Sequence, residues 1–460
     1  LSQYAKKVGV TYRIAFRWWQ NGQIKGYQLP SGTIVVTEGE ESNSNRQIRR
    51  DRVKLVEQHL IRKSDPRFAA IDQAAFASKN LYNQANYQIR QAFIHEGQYL
   101  PYAEIFHRLK HHEAYCALPR KVSNSILIQL HKNWVAFFKA NEAYKEDPSK
   151  FVGRPKIPGY KDKENGRNIL IYDMQAILKK ALKRGMIAPS GLSIEIPTKQ
   201  MHKTIDQVRI VPRLDGYMVE VVYQKTEEQA EVSPSLIAAL DLGVNTLAAV
   251  TSTKRGFQPL LVNGRPLKSL NQYYNKQRAR HQKHLAKAKR FTSRQLDRIT
   301  TKRNRRVNAY LHTASRRIIN LLVQEGIGTL VVGKNPLWKQ EVQMGRKNNQ
   351  AFVHIPHARF IEMVTYKAKL VGIRVVITEE SYTSKASFLD RDSLPTYDPK
   401  RTEKPRFSGK RETRGLYRAS NGKRIHADIN GSYNIACKAF PHSFGQGIEG
   451  AAVHPRRLAV

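Results

Sequence analysis

Four acidic residues stand where apolar or helical runs of the sequence begin or end. Asp241 lies in "ALDLGVNTLAAV", Glu379 and Glu380 close "IRVVITEE", and Asp428 opens "DINGSYNIACKAF". An ionised carboxylate costs several kcal/mol to remove from water unless it is paired or binds a cation. Asp241 alone would be interpreted as a strand-end residue that caps its own turn. The repetition of the pattern predicts a shared site instead.

The chemistry of that site follows from the residue types. Carboxyl ends of strands meet at one sheet edge, and two or three carboxylates there suit Mg2+ or Mn2+. Two such ions about 4 Å apart would hold a phosphodiester for attack by water. The catalytic and metal-binding residues are therefore predicted to be Asp241, Glu380 or Glu379, and Asp428. Strand alternation points the two glutamates oppositely, and we favour Glu380. The alternative is that the two glutamates have a structural role at the strand end, either as an N-cap or as partners of basic side chains.

The charge of the chain indicates a polyanionic partner. Its 460 residues include 79 Lys and Arg against 37 Asp and Glu, a net charge of +42. A compact fold of this charge repels itself unless a polyanion neutralises it. No apolar run reaches the roughly 20 residues of a membrane span, so nucleic acid is expected and a membrane is not. The only cysteines, Cys116 and Cys437, exclude a disulfide framework, and the protein is expected to be cytoplasmic, prokaryotic and nucleoid-associated.

Residues 1–36 predict a helix-turn-helix followed by a small hairpin. Thr11 is a candidate N-cap for a helix that carries Arg13 and Arg17, and residues 30–32 form a turn signal. Basic residues on that helix favour DNA binding, and a two-helix dimerisation cap is the alternative. The stretch resembles the MerR-like helix-turn-helix of transposases from the serine-recombinase branch.

A second basic region lies between Arg265 and Arg306, which enclose fifteen Lys or Arg and one acid, Asp297. A solvated helix face normally carries both signs, so this region is expected to follow nucleic acid phosphates. The predicted nucleic-acid-binding residues are Arg13, Arg17, Arg154, Lys156, Lys276, Arg278, Arg280, Lys283, Lys302, Arg303, Arg305 and Arg306.

The acid-bearing segments "DLGVNTLAAV", "EESYTSKASFLD" and "ADINGSYNIA" resemble, in the same order, the split RuvC motifs of TnpB proteins. TnpB proteins are transposon-encoded, RNA-guided DNA nucleases from which CRISPR type V effectors descend. The resemblance covers residues 51–460 and is specific in the last half. It implies an RNase H-like fold, a guide RNA, target double-stranded DNA with a short flanking motif, and Mg2+-dependent DNA cleavage.

The expected fold is α/β plus α+β. An RNase H-like RuvC nuclease domain with a helical insertion follows a β-barrel-like wedge domain, which is interrupted by a helical recognition domain. The expected boundaries are 1–37 for the helix-turn-helix, 38–50 for a linker, 51–65 and 161–232 for the wedge, 66–160 for the recognition domain, 233–460 for the nuclease, and about 384–424 for a degenerate zinc-ribbon-like insertion.

Two departures from the family bear on function. Gly333, in "LVVGKN", stands where the second catalytic acid usually ends its strand. Either the nuclease is inactive, or Glu379 or Glu380 reaches the same place from the neighbouring strand, about 5 Å away. The second departure is that Ser387, Asp390, Arg418 and Asn421 replace the usual zinc-binding cysteines. No zinc is expected, and the segment is expected to form a hairpin held by other contacts or to be mobile.

The leading interpretation is an RNA-guided DNA endonuclease. The alternative is a nuclease-inactive, RNA-guided DNA-binding protein that acts as a repressor or targeting factor, which the Gly333 departure supports. A third is a transposase accessory protein that binds DNA through residues 1–36 without a guide. The sequence leaves open the source of the guide, the flanking motif and the oligomeric state.

Overall fold

The computed structural model describes residues 12–21, 26–28, 34–36, 52–200, 204–335, 345–398, 405–444, 453–458 and 460. The chain divides into two compact units, Leu1–Val53 and Lys54–Val460. The predicted linker at 38–50 and the first predicted helix, near Tyr4, lie outside the described residues.

The first unit contains a helix and a two-stranded hairpin. Its elements are α1 (Tyr12–Gln20), β1 (Gly26–Gln28) and β2 (Ile34–Val36), with β1 antiparallel to β2. Ala15 and Ile34 are buried, whereas Arg13 and Arg17 are exposed. The predicted second helix and hairpin are confirmed, and their assignment to a DNA-binding helix-turn-helix stays a prediction.

The next region combines helices with a four-stranded sheet. Its helices and longer strands are β3 (Arg52–Arg62), α2 (Phe68–Gln91), α3 (Tyr102–Leu109), α4 (Glu113–Cys116), α5 (Arg120–Glu146), β4 (Leu170–Asp173), α6 (Lys179–Lys183), β5 (Met186–Ile187), β6 (Ile196–Pro197), β7 (Ile205–Arg213) and β8 (Gly216–Thr226). The sheet order is β3-β8-β7-β4. Trp134 of α5 is fully buried and donates a 3.0 Å hydrogen bond to Asn86 of α2, which fixes the two long helices against each other. The helical pattern predicted for residues 66–146 is confirmed.

The remainder of the chain forms a mixed six-stranded sheet with helices. Its elements are β9 (Ser233–Leu242), β10 (Thr246–Ser252), β11 (Leu260–Asn263), α7 (Arg265–Lys287), α8 (Arg294–Gln324), β12 (Ile327–Gly333), α9 (Arg346–His354), α10 (His357–Lys369), β13 (Arg374–Thr378), β14 (Lys410–Thr413), β15 (Leu416–Arg418), β16 (Arg424–His426), α11 (Ala427–Ala439) and β17 (Arg456–Leu458). The strand order is β13-β12-β9-β10-β11-β17. Strand β10 is antiparallel to β9 and β11, whereas β12 is parallel to β9 and β13. The predicted mixed α/β fold is confirmed.

The two faces of this sheet are covered by different helices. Leu240 of β9 belongs to a core that includes residues of α8 and α10. Ala239 instead packs with Val331 of β12 and Ile435 of α11. Because side chains alternate along a strand, Asp241 lies on the same face as Ala239, beneath α11.

One strand differs from its prediction. The run "IRVVITEE" was expected to be a buried strand ended by the glutamates, but β13 stops at Thr378 and both glutamates follow it. Among the described strands it pairs only with β12, at the edge of the sheet, and Ile377 is 48% exposed. Strand alternation therefore does not decide which glutamate faces the site.

Candidate active site

Asp241 is positioned by close packing between β9 and α11. A Cβ atom added at Gly431 of α11 would lie 2.8 Å from Oδ2 of Asp241, closer than real Cβ atoms approach other atoms. Glycine at this position lets the helix pass directly over the carboxylate. The cost of this packing appears in the pKa of Asp241, which is raised well above its usual value by burial and by repulsion from Glu380 and Asp428.

The Glu380 carboxylate lies against Gly333, the position at which the resemblance to TnpB proteins implies an acid. A Cβ atom added at Gly333, the last residue of β12, would lie 2.7 Å from Oε2 of Glu380 and 2.6 Å from Cδ1 of Ile435. The glycine therefore leaves the space that the side chain of Glu380 enters from beyond the neighbouring strand. Oε2 of Glu380 is buried without a hydrogen-bond partner among the described residues. Burial and the charge of Glu379 raise the pKa of Glu380 to about 7.

Glu379 has a different environment from its neighbour. It forms an ion pair with Lys438 of α11, whose side chain is only 7% exposed. Burial raises the pKa of Glu379, but hydrogen bonds from Lys438 and from Ser381 outweigh it and lower that pKa overall. Glu379 is thus paired with a cation, whereas Glu380 has no ion pair among the described residues and its pKa is raised, which agrees with the preference for Glu380.

A polar stripe on α11 holds the segment that carries both glutamates. The stripe consists of Asn430, Asn434 and Lys438, which follow one another at intervals of four residues and so share one helix face. Asn430 and Asn434 each donate a 2.8 Å hydrogen bond to the backbone oxygen of Ala386. Lys438 donates one of 2.8 Å to the oxygen of Ser381. This stripe was not predicted, although its four-residue spacing within the motif region is visible in the sequence.

Asp428 lies in the first turn of α11, as predicted. Carboxylates are favoured there because the exposed backbone N–H groups and the helix dipole are positive. Nδ1 of His426 accepts a 3.3 Å hydrogen bond from the N–H of Asp428 and caps the helix. Nη2 of Arg411, on β14, lies 3.4 Å from Oδ1 of Asp428. Arg411 and His426 were not among the residues predicted for the site.

The acids line one cleft of about 1080 Å³. Asp241, Glu380 and Asp428 lie along it, and basic side chains share its wall; these are Arg265, Arg411, Arg414 and Arg457. A cleft that juxtaposes oxygen donors with guanidinium groups suits a phosphodiester bridged to divalent cations.

The carboxylates of the cleft are the kind of oxygen donor that hard divalent ions bind, but they do not converge in this structure. Neither Asp241 nor Glu380 forms an ion pair among the described residues, and nearby Arg411 and Lys438 lower their pKa values by less than burial and the other acids raise them. Within the described part of the chain, no three Asp, Glu, His or Cys side chains converge as a ready ligand set. Ion binding at this site would therefore require side-chain movements, including release of Asp428 from Arg411.

The segment predicted as a degenerate zinc-ribbon-like insertion, at about residues 384–424, is held by carboxylate and serine contacts. Asp390 accepts hydrogen bonds from the N–H of Ser420 at 2.9 Å and from its hydroxyl at 2.6 Å. Asp392 accepts one from the N–H of Ser387 at 2.8 Å and one from the hydroxyl of Ser408 at 2.5 Å. Together they tie residues 387–392 to the small sheet of β14, β15 and β16. The expected hairpin held by other contacts is confirmed.

Two of the four replacement residues have local partners instead. Arg418 forms an ion pair with Glu412 at 3.2 Å, and Asn421 accepts a hydrogen bond from the N–H of Lys423 at 3.0 Å. The absence of zinc itself stays a prediction.

The predicted nucleic-acid-binding residues fall into two groups. Eleven of the twelve are exposed, and these are Arg13, Arg17, Arg154, Lys156, Lys276, Arg278, Arg280, Lys283, Lys302, Arg305 and Arg306. Arg303 points into the protein, where it donates 2.8 Å hydrogen bonds to Asn271 and to the oxygen of His354. Arg305 is exposed but forms an ion pair with Asp215. Arg303 thus joins α7, α8 and α9, and burial lowers its pKa.

Comparisons with known proteins place this geometry in context. Residues 220–338 match the model of the OrfB_IS605 family, described as a probable transposase, and residues 357–435 match that of the Cas12f1-like TNB domain. The chain is similar to TnpB-type transposon proteins. It is 23% identical over 409 residues to the TnpB-like protein ORF457 of Acidianus two-tailed virus, a match that covers 79% of this chain and 81% of that relative. The two matched ranges contain Asp241, Gly333, Glu380 and Asp428.

Two solved structures are also similar. One is a Cas12f1-sgRNA-target DNA complex, with a TM-score of 0.47, 15% identity and coverage of 80% of this chain and 82% of that chain. The other is a CRISPR-Cas12f ternary complex, with a TM-score of 0.32, 12% identity and coverage of 80% and 81%. None of the helices described here is long and apolar enough to cross a bilayer.

Proposed function

We propose that this protein is an RNA-guided DNA endonuclease. Its RuvC-like site would use Asp241, Glu380 and Asp428, and its partners would be a guide RNA and double-stranded DNA with a short flanking motif. The observation that carries the proposal is the position of Glu380. Its unpartnered Oε2 fills the space beside Gly333, so a carboxylate is present where the family's acid is missing. The similarity to TnpB proteins supports the same proposal.

The chain's own residues divide the work at this site. Mg2+ or Mn2+, when bound, would supply Lewis acidity at the scissile phosphate and lower the pKa of an attacking water. Asp241, Glu380 and Asp428 would hold those ions, whose positive charge would offset the burial and mutual repulsion that raise the pKa values of Asp241 and Glu380. Arg411, released from Asp428, would be free to bind a phosphate oxygen of the DNA strand.

The second candidate function is RNA-guided DNA binding without cleavage. Two observations favour it: Gly333 lacks the family's carboxylate, and Arg411 already neutralises Asp428. In this case the cleft acids would have no catalytic role, and the protein would only bind RNA and DNA through its basic surfaces.

Two measurements test the proposal. Protein purified from cells that carry its native locus should retain a discrete RNA, which sequencing identifies as the guide. That complex should then cut a duplex that matches the guide when Mg2+ or Mn2+ is added, and should not cut with a chelator. Guided binding without cleavage in either metal would establish the second candidate instead. Equal DNA binding with and without RNA would exclude both.

A further inference from the structure

The hairpin of α7 and α8 carries an exposed aromatic residue at its tip. Phe291 is 90% exposed, which makes it the most exposed aromatic among the residues described. Burying such a side chain is worth about 1.5–3 kcal/mol, so full exposure gives up a large stabilisation. Single exposed apolar residues are common on protein surfaces, and exposure alone does not define a site. The surroundings of Phe291 distinguish it.

The tip projects away from the packed part of its domain. Between Asn271 of α7 and Leu296 of α8, none of the residues is buried. Residues 272–287 alone form about 24 Å of helix at 1.5 Å per residue. The base of the hairpin, by contrast, is fixed by Arg303, which is bonded to Asn271. The tip thus extends into solvent from a base that is fixed by this hydrogen bond.

The backbone on either side of Phe291 is locked by two caps. Helix α7 ends in a Schellman arrangement, in which the N–H of Arg290 bonds to the oxygen of Leu285 at 2.9 Å and that of Lys289 to Ala286 at 3.0 Å. Helix α8 begins with the Ser293 hydroxyl, which accepts a 3.2 Å hydrogen bond from the N–H of Leu296. Only Phe291 and Thr292 lie between the caps, so the backbone that carries the ring has little conformational freedom.

The charge around the ring identifies the kind of partner. Five cations occupy the two helix ends beside it, and these are Lys287, Lys289, Arg290, Arg294 and Arg298. Asp297 is the single acid there. A basic surface with a protruding aromatic ring combines phosphate attraction with base stacking, which is how proteins bind single-stranded nucleic acid. A protein partner or a second copy of this chain, itself highly basic, would be a poorer electrostatic match.

We propose that Phe291 stacks on an unpaired base of the bound RNA, with the surrounding cations on the adjacent phosphates. RNA is favoured over duplex DNA because its loops and ends expose base faces, whereas a B-form duplex conceals them between neighbouring pairs. This proposal rests on the RNA partner of the proposed function and is independent of cleavage.

The test uses the full-length protein with a fluorescent, uridine-rich single-stranded RNA and a blunt RNA duplex of equal length. Phe291→Ala should weaken binding of the single strand about tenfold, equivalent to about 1.4 kcal/mol, and leave the duplex affinity unchanged. Phe291→Leu, which keeps apolar area without a flat ring, should resemble Phe291→Ala. Phe291→Trp should bind as the wild type, and its added emission should be quenched by the single strand.

Two controls separate stacking from charge and from folding. The salt dependence of binding should be the same for Phe291→Ala and the wild type, because no cation is removed, whereas Lys289→Gln with Arg290→Gln should reduce the slope by about 1.4. Tyr397→Ala removes another exposed aromatic, 62% exposed and outside the hairpin, and should bind RNA normally. The thermal midpoint of each variant should match the wild type.

Each contrary result has a separate meaning. Wild-type affinity in Phe291→Ala or Phe291→Leu would overturn the stacking proposal while the guided function stands. A sedimentation coefficient that changes in Phe291→Ala without RNA would assign the tip to protein contact and overturn it as well. A wild-type protein with no RNA affinity would overturn both this proposal and the proposed function.

Discussion

The acidic cleft and the basic hairpin both gather like charges, but they tolerate them in opposite ways. In the cleft, Gly431 and Gly333 allow a helix and a neighbouring segment to press carboxylates into restricted space, and pKa values rise. On the hairpin, cations from α7 and α8 extend into water, where solvent screens their repulsion. The placement of the carboxylates in the cleft therefore depends on close side-chain fit, whereas the attraction of the hairpin for nucleic acid depends on its total charge.

The largest expected effect is on the cleft acids. Asp241→Asn, Glu380→Gln and Asp428→Asn should each reduce guided cleavage on the order of a thousandfold, because each removes a charge that holds the ions. Cleavage of a guide-matched duplex and RNA affinity would be measured side by side, and RNA affinity should not change.

Glu379→Gln is the matched control for Glu380→Gln, since it changes the adjacent residue in the same way. Its effect on cleavage should be mild, because Glu379 loses its ion pair with Lys438 and not a bound metal ion. Loss of cleavage in Glu379→Gln with retention in Glu380→Gln would transfer the catalytic assignment to Glu379.

A second prediction tests the fit at β12. Gly333→Ala should slow cleavage about tenfold to a hundredfold, because overpacking by one methyl group costs about 1–3 kcal/mol and displaces Oε2 of Glu380. Gly153→Ala, which meets no atom within 4 Å, is the control. Single-turnover cleavage rates would be compared. Unchanged cleavage in Gly333→Ala would show that Glu380 does not need this position.

The same position permits a gain-of-function test. Gly333→Glu with Glu380→Ala and Ile435→Val moves the carboxylate back to β12 and removes both Oε2 of Glu380 and Cδ1 of Ile435. This triple variant should cleave faster than Glu380→Ala alone. Equal rates would argue that the two positions are not equivalent.

The third prediction concerns total charge on the hairpin. Replacing Lys276, Arg278, Arg280 and Lys283 with Gln should weaken RNA binding and reduce the slope of its salt dependence by about 2.8, roughly 0.7 for each cation that contacts single-stranded phosphates. Arg303→Gln should behave differently, since Arg303 bonds inside the protein; it should lower the thermal midpoint and leave the slope unchanged. Identical slopes for the quadruple variant and the wild type would remove this surface from the RNA path.

The fourth prediction is a pH dependence of stability in a chelator. The pKa of Glu380 in the folded protein, about 7, exceeds its ordinary value of 4.5, so folding favours the protonated carboxyl. Its contribution is complete below pH 4.5 and is lost as the pH rises through 7, on the order of 3 kcal/mol. Glu380→Gln should lose less stability over that range in thermal melts. The same pH dependence in both proteins would contradict the buried state of Glu380.

The smallest expected effect is that of zinc removal. The contacts of Asp390 and Asp392 with serines take the place of thiolate ligands, so the protein should contain no stoichiometric zinc and its thermal midpoint should not respond to a zinc chelator. Elemental analysis provides the check. One tightly held zinc ion per chain would show that the ribbon ligands lie elsewhere.

Local sequence patterns predicted most elements near the site. Strand β9 with Asp241 near its end, the long pair α7 and α8, and Asp428 in the first turn of α11 were all expected. These features depend on apolar periodicity, capping and turn residues within short windows, which the sequence displays directly. The net charge, and the class of partner it favours, also follow from the sequence alone.

Contacts between distant segments were decided only by the tertiary structure. Lys438 of α11 forms its ion pair with Glu379 and not with Glu380, and Ile435 of the same helix bounds the space beside Gly333. The edge position of β13 and the inward direction of Arg303 likewise depend on which elements pack together. Periodicity predicts which face of an element is apolar, but not which side chain from a distant segment packs against it. Such contacts matter here because burial and ion pairing set the charge state of each acid.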